Sequence, residues 1–185
     1  GYLFPNTYQF TGNELPFDII NRMVGEYKNN FSDDMHEQMK KIKMTEVEVL
    51  TLASIIEGEA IYDRERPIIS GVYHNRLNTG MRLQADPTIQ YIIDDSPRRL
   101  LNRDLKIDSP YNTYLYNGLP PGPINNPGLE SIKAALYPES NDYFYFVARG
   151  DGYHTFSKTK EQHNKAKRDF QKVRRNLRKQ KLRQG

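Results

Sequence analysis

No cysteine occurs anywhere in the 185 residues. That excludes disulfides, thiolate zinc sites and cysteine nucleophiles, and leaves the redox compartment unmarked. Histidine is scarce too. His36, His74, His154 and His163 show no close metal-ligand spacing, so neither a metal nor a cofactor is expected. No apolar run approaches the length of a membrane span, and no secretory leader opens the sequence. Gly1 runs straight into Tyr2-Leu3-Phe4-Pro5, so any anchor or signal is expected upstream. No repeat or low-complexity linker divides the chain, whose length suits one domain with a real core.

What is present is charge, unevenly spread. The net charge of +4 conceals twelve Lys or Arg from Lys158 onward, against only Glu161 and Asp169 there. A mildly acidic body therefore carries a strongly basic tail over 158–185, suited to an anionic polymer, anionic lipid or nucleic acid. Aromatic interleaving and a recognisable nucleic-acid module are missing from the tail, so nucleic acid ranks last.

The most informative stretch is Thr45 to Ala60, TEVEVLTLASIIEGEA. Thr45 and Glu48 form a capping box, which predicts a helix start. Val47, Val49, Leu50, Leu52, Ala53, Ile55 and Ile56 then cover every face, the pattern of a buried helix. It delivers Glu57 and Glu59, with Gly58 between them, to the edge of a core. Desolvation and the negative end of its own helix would push the Glu57 carboxyl toward its protonated form, as a general acid needs. The alternative is an ion pair with Arg64, Arg66 or Arg76.

Other elements can be read around it. Pro16 opens a helix with Phe17, Ile20, Met23, Val24, Tyr27 and Phe31 on one apolar face. A shorter polar helix covers Asp33 to Lys41. Another helix begins near Pro67 and stops at Asn78-Thr79-Gly80. Asp86-Pro87 predicts a further start, with Asp86 as cap. Asp142 to Ala148 and Tyr153 to Ser157 read as strands joined at Gly150-Asp151-Gly152, where Arg149-Gly150-Asp151 is turn chemistry rather than an adhesion motif. Phe170, Val173 and Leu177 give the basic tail a thin apolar stripe. The sum is one mostly helical α+β domain over 1–185 with a small antiparallel sheet.

Ser109 to Asn125, SPYNTYLYNGLPPGPIN, interleaves tyrosine with asparagine before a proline-fixed loop. Rings cover apolar sugar faces and amides bond hydroxyls and acetamides, so Gln84, Tyr111, Asn112 and Tyr114 are candidate substrate-binding residues. Ordinary core packing is the alternative for the loop.

Several of these motifs occur in one order: Gly1-Tyr2-Leu3-Phe4-Pro5, Leu52-Ala53-Ser54-Ile55-Ile56-Glu57, Asn75-Arg76-Leu77, Met81 to Thr88, Tyr111 to Tyr114, Gly118 to Ile124, Tyr145 to Ala148, and His154-Thr155-Phe156. Together they resemble the YceG-like family, the endolytic murein transglycosylases, from Gly1 to about Lys172. The resemblance implies a catalytic region held outside the bacterial cell membrane by an N-terminal anchor, behind a LysM-like subdomain; the anchor and most or all of that subdomain would lie outside this sequence. It implies cleavage of nascent peptidoglycan strands between N-acetylmuramic acid and N-acetylglucosamine, with 1,6-anhydro ends, beside cell-wall synthases. It also implies Glu57 as the catalytic acid, with no role carried onto Glu59. The rival readings are a water-using glycoside hydrolase, with Glu59 or Asp86 as second carboxylate, and a non-catalytic glycan-binding scaffold.

Overall fold

The central helix starts where its capping box predicts. The computed structural model describes residues 1–184 and, in the last helix, side chains as far as Arg175. Thr45 Oγ1 accepts from the Glu48 amide at 3.3 Å, and Glu48 Oε2 accepts from the Thr45 amide at 2.7 Å. The helix they open, α3, spans Glu46–Glu59, and every residue from Val49 to Ile56 is buried. Val47 is the exception among its apolar residues: it sits on the first turn and is exposed.

The other helices are α1 (Pro16–Asn30), α2 (Asp33–Lys41), α4 (Arg66–Asn78, after a 3-10 turn at Asp63–Glu65), α5 (Asp86–Ile92) and α6 (Leu129–Leu136). α6 is the main partner of α3 and buries Ile132, Ala134, Ala135 and Leu136; its alanines let the two backbones come close. The proline loop is tied to the same helix. Ser54 Oγ accepts from the Ile124 amide at 3.0 Å, and the Ser54 carbonyl accepts from Asn125 Nδ2 at 2.8 Å. The amphipathic stripe of α1 is only half used. Tyr27 and Phe31 are buried, whereas Phe17 is 69% and Ile20 47% exposed. A stripe read from spacing runs on past the surface that its neighbours supply.

α4 gathers distant loops. Asn75 Nδ2 donates to the carbonyls of Asn141 and Tyr143, both at 3.0 Å. The buried Arg76 donates to the carbonyls of Phe144, at 2.7 Å, and Leu83. Gly71 makes room for this, because a Cβ there would lie 2.4 Å from both the Glu139 carbonyl oxygen and Asn141 Nδ2. Gly71→Ala is therefore expected to destabilise by about 1–3 kcal/mol, the clash outweighing the gain of up to about 1 kcal/mol in helix propensity. Thermal melting checks this; an unchanged midpoint would mean that the 139–141 segment yields freely.

β1 (Tyr145–Ala148) pairs antiparallel with β2 (His154–Ser157), Phe146 opposite Phe156. Both strands are shorter than the sequence suggests. Gly150 and Gly152 adopt φ of +94° and +89°, and Arg149 pairs with Asp151 at 3.0 Å, so the tripeptide is indeed part of the turn. The last helix, α7 (Lys160–Gln184), is opened by Thr159 and Gln162, which bond each other's amides at 3.3 Å. It rests on the hairpin. Phe170 of its stripe is half-buried and Val173 exposed, while Leu177 lies outside the described side chains. Among the described residues no helix is long and apolar enough to cross a membrane. The fold is α+β, as expected.

Candidate active site

α3 ends with two carboxyls two residues apart, about 200° around the helix axis, so they face different neighbours. Glu57 faces α4 and α6. Its Oε2 accepts from the Ser131 hydroxyl at 2.8 Å and from the amide of Gly128, the N-cap of α6, at 3.1 Å. The guanidinium of buried Arg66 lies 3.3 Å from each of its two oxygens. Arg66 also donates to Ser131 Oγ at 2.6 Å and to Asp63 at 2.9 Å. This is the ion-pair alternative for Glu57. Its carboxylate, although 32% exposed, is held by three donors and clasps α3 to the starts of α4 and α6.

Glu59 faces the other way. Its Oε1 accepts from the hydroxyl of buried Tyr73 at 3.0 Å. Burial, and then the negative charge of Asp86, push the Glu59 carboxyl up to about 7, against the opposing pull of Tyr73, Arg76 and the Asp86 amide. Near neutral pH it is thus divided between acid and carboxylate, as a group that both gives and takes a proton must be.

Gly58 sets this pairing. A Cβ on it would fall 2.7 and 2.8 Å from Cβ and Cγ of Pro87, so the glycine lets the start of α5 lie against α3 and brings Asp86 beside Glu59. The expected capping role of Asp86 is corrected here. Ala85 is the N-cap and no side chain caps it. The Ala85 amide donates to Thr113 Oγ1 at 3.0 Å, and Thr113 and Thr88 hydroxyls bond each other at 2.9 Å. With the turn braced that way, the Asp86 carboxylate is free to accept from the Tyr114 hydroxyl. Burial and Asp86 push the Tyr114 phenol upward, so it stays a donor.

These groups share an open cleft of about 380 Å³. Glu59, Arg76, Gln84, Asp86 and Tyr114 line it, together with Tyr145, His154, Lys160, His163 and Lys167 from the hairpin and α7. Gln84 is held at φ +48°, in the left-handed region that costs a non-glycine residue about 1–3 kcal/mol, with its side chain exposed into the cleft. A larger cavity of about 810 Å³ separates the hairpin from α7, but neither glutamate of α3 reaches it. No group of three or more His, Cys, Asp or Glu suited to a metal exists among the described residues.

Of the residues proposed from sequence, Gln84 and Tyr114 therefore meet in the cleft, while Glu57, Tyr111 and Asn112 do not line it. Asn112 is buried: its Nδ2 donates to the Leu105 and Ile107 carbonyls at 3.2 and 2.7 Å, and its Oδ1 accepts from the Tyr114 amide at 2.9 Å. Its amide is spent on bracing the loop that presents Tyr114. Tyr111 packs against Tyr91, with ring centroids 4.9 Å apart. Sequence reading gave Glu59 only the part of second carboxylate in the hydrolase alternative, and placed neither Tyr73 nor the hairpin and α7 residues at a site. The helical step between Glu57 and Glu59 was the one legible hint that only one of them faces any given side.

An α+β domain with a half-buried, proton-holding carboxyl beside a second carboxylate in an open cleft has the layout of a general acid–base site. The sequence pattern of the YceG-like family matches residues 1–169, and the chain belongs to that family. It is 44% identical over 170 residues to the endolytic murein transglycosylase of Bacillus subtilis, covering 92% of this chain and 47% of that protein. To the endolytic murein transglycosylase of Streptococcus pneumoniae strain D39 it is 35% identical over 153 residues, covering 80% of this chain and 28% of that one. A 2.6 Å crystal structure of a yceG-like protein from Listeria monocytogenes superposes with a TM-score of 0.83 at 47% identity, covering 89% of this chain and 54% of that chain. This chain thus spans about half or less of the relatives it matches.

Proposed function

We propose that this domain is a lytic transglycosylase that cuts peptidoglycan glycan strands internally, with Glu59 rather than Glu57 as its acid. The observation that carries this is the Glu59 carboxyl, raised to about 7 in a cleft shared with Asp86, Gln84 and Tyr114. Further support comes from the relatives in Bacillus subtilis and Streptococcus pneumoniae, which are named endolytic murein transglycosylases.

In this mechanism protonated Glu59 gives its proton to the oxygen linking muramyl C1 to N-acetylglucosamine. The C1–O bond breaks and the leaving sugar departs as an alcohol. The muramyl C6 hydroxyl attacks C1, and the Glu59 carboxylate takes the hydroxyl proton. Water is not consumed, a 1,6-anhydro ring forms, and the acid is regenerated. Asp86, fixed by Tyr114, keeps the proton on Glu59 by its charge and faces the positive charge that develops at C1. The Gln84 amide is a donor and acceptor for a sugar hydroxyl or acetamide. With murein as substrate, the site of action is the extracytoplasmic face of the cell membrane, near the glycan synthases, with the anchor lying upstream.

The presence of Asp86 also favours one rival, a hydrolase in which that carboxylate activates water. Mass spectrometry of digested strands separates the two: anhydro ends are expected, and reducing ends would favour hydrolysis. Cleavage is also expected to decline as pH rises through about 7, since the acid is lost in that direction. A rate still climbing well above pH 8 would remove Glu59 from the role of acid.

A further inference from the structure

The cleft is lined by basic side chains as well as carboxyls. Lys160 and Lys167 stand on α7 one turn either side of His163, and all three line the cleft that Glu59 and Asp86 share. Tyr145 ties them to the sheet: the His163 ring stacks on it with centroids 5.2 Å apart, and Lys160 Nζ lies 5.4 Å from its centroid. Among the described residues neither lysine makes an ion pair, although several other lysines on the surface do. The leading charges acting on Glu59 are those of Asp86 and Arg76. The positive charge is concentrated nonetheless. Burial, Lys167, Lys160 and Arg76 together push His163 down to about 4, which leaves it neutral, and its shielded Nδ1 has no partner.

Two ammonium groups without ion-pair partners, one turn either side of the His163 ring, make a receptor for an anion carried past the cleft. We infer that the Lys160–His163–Lys167 face of α7 binds a carboxylate on the muramyl substituent, so that the domain selects strands bearing acidic groups over neutral ones. This rests on the proposed transglycosylase reading. The sugar rings themselves are neutral, so on a peptide-bearing strand the anion is a carboxylate of the stem peptide; the muramyl lactyl group, tied up in the amide to that peptide, offers a carboxylate only where the peptide has been removed. Arg76 also lines the cleft, but its Nε and Nη1 are committed to the Phe144 and Leu83 carbonyls.

The test compares three substrates: peptide-bearing strands, the same strands with carboxyls converted to methylamides, and amidase-stripped strands that retain only the lactyl carboxylate. For the wild-type protein, methylamidation is expected to raise KM about tenfold, the scale of one charge-assisted contact. The exposed pair K160A/K167A should raise KM on peptide-bearing strands by a similar factor and abolish the difference between native and methylamidated strands. Stripped strands that bind like native ones show that the face accepts a carboxylate at the lactyl position as well as one on the peptide; stripped strands that bind like methylamidated ones confine the contact to the peptide. Equal KM for native and methylamidated strands in the wild type, or discrimination surviving in K160A/K167A, overturns the inference while leaving the transglycosylase reading standing. No anhydro product from any wild-type digest overturns both.

Discussion

Glu59→Gln is expected to reduce glycan cleavage by about 10²–10⁴-fold, the contribution of a positioned acid–base group, with the fold retained. Glutamine keeps the shape and accepts from Tyr73, but it has no acidic proton to give. The same substitution also changes stability in a direction fixed by linkage. A carboxyl raised from 4.5 to about 7 in the folded state binds more protons folded than unfolded between those values. Its contribution is fully present below 4.5 and is lost as pH rises through about 7. Ionised Glu59 above pH 7 therefore burdens the wild type by up to about 3 kcal/mol, and Glu59→Gln should melt higher than wild type at pH 8. Glu57→Gln is expected to do the reverse. It leaves the buried Arg66 guanidinium with the exposed Asp63 as its remaining carboxylate and weakens the clasp on Ser131 and the start of α6, for about 1–2 kcal/mol, a charge-assisted contact reduced for partial exposure. Cleavage by the folded protein should survive. Anhydro-product yield and thermal melts read both effects. A folded but inactive Glu57→Gln beside an active Glu59→Gln would return the acid to Glu57.

Gly58→Ala should separate geometry from chemistry. Neither glutamate changes, and alanine favours a helix by about 1 kcal/mol over glycine. The added methyl nevertheless meets the Pro87 ring at 2.7 Å. Pro87 is adjacent to Asp86, so relieving the contact moves the second carboxylate away from Glu59. A displacement near 1 Å typically lowers the rate by about 10²-fold, while overpacking costs about 1–3 kcal/mol, partly offset by the helix gain. The expected result is a folded protein with strongly reduced cleavage and a Glu59 pKa shifted downward, measurable by carboxyl NMR. Full activity would show that the Asp86 position is unimportant.

Local chemistry made much of the fold legible. The box at Thr45 and Glu48, the proline starts and the Gly150–Gly152 turn each depend on residues a few positions apart, and the α+β class followed from them. The choice between Glu57 and Glu59 did not. It depends on Ser131 and Arg66 closing over one face of α3 and on Pro87 meeting Gly58 on the other, contacts between segments that no periodicity links. Asp86 and Asn112 misled for a similar reason. Each had a plausible local or ligand role, and each was redirected by a hydrogen bond from the neighbouring loop. Tyr114 and Gln84 drew notice as aromatic and amide groups suited to sugar, and both line the cleft. The basic helix was visible as charge, but its place on the cleft required the hairpin to fold back.

One guanidinium holds the backbone just before Gln84 and the strand entering the hairpin, two stretches far apart in the chain. Opening either stretch must release the other, so fraying of the ribbon and wetting of the Glu59 carboxyl become a single cooperative event. Amide hydrogens of β1 should then exchange with solvent in step with those around Ala85. A lysine in place of Arg76, with no planar fork to span both carbonyls, would uncouple the two.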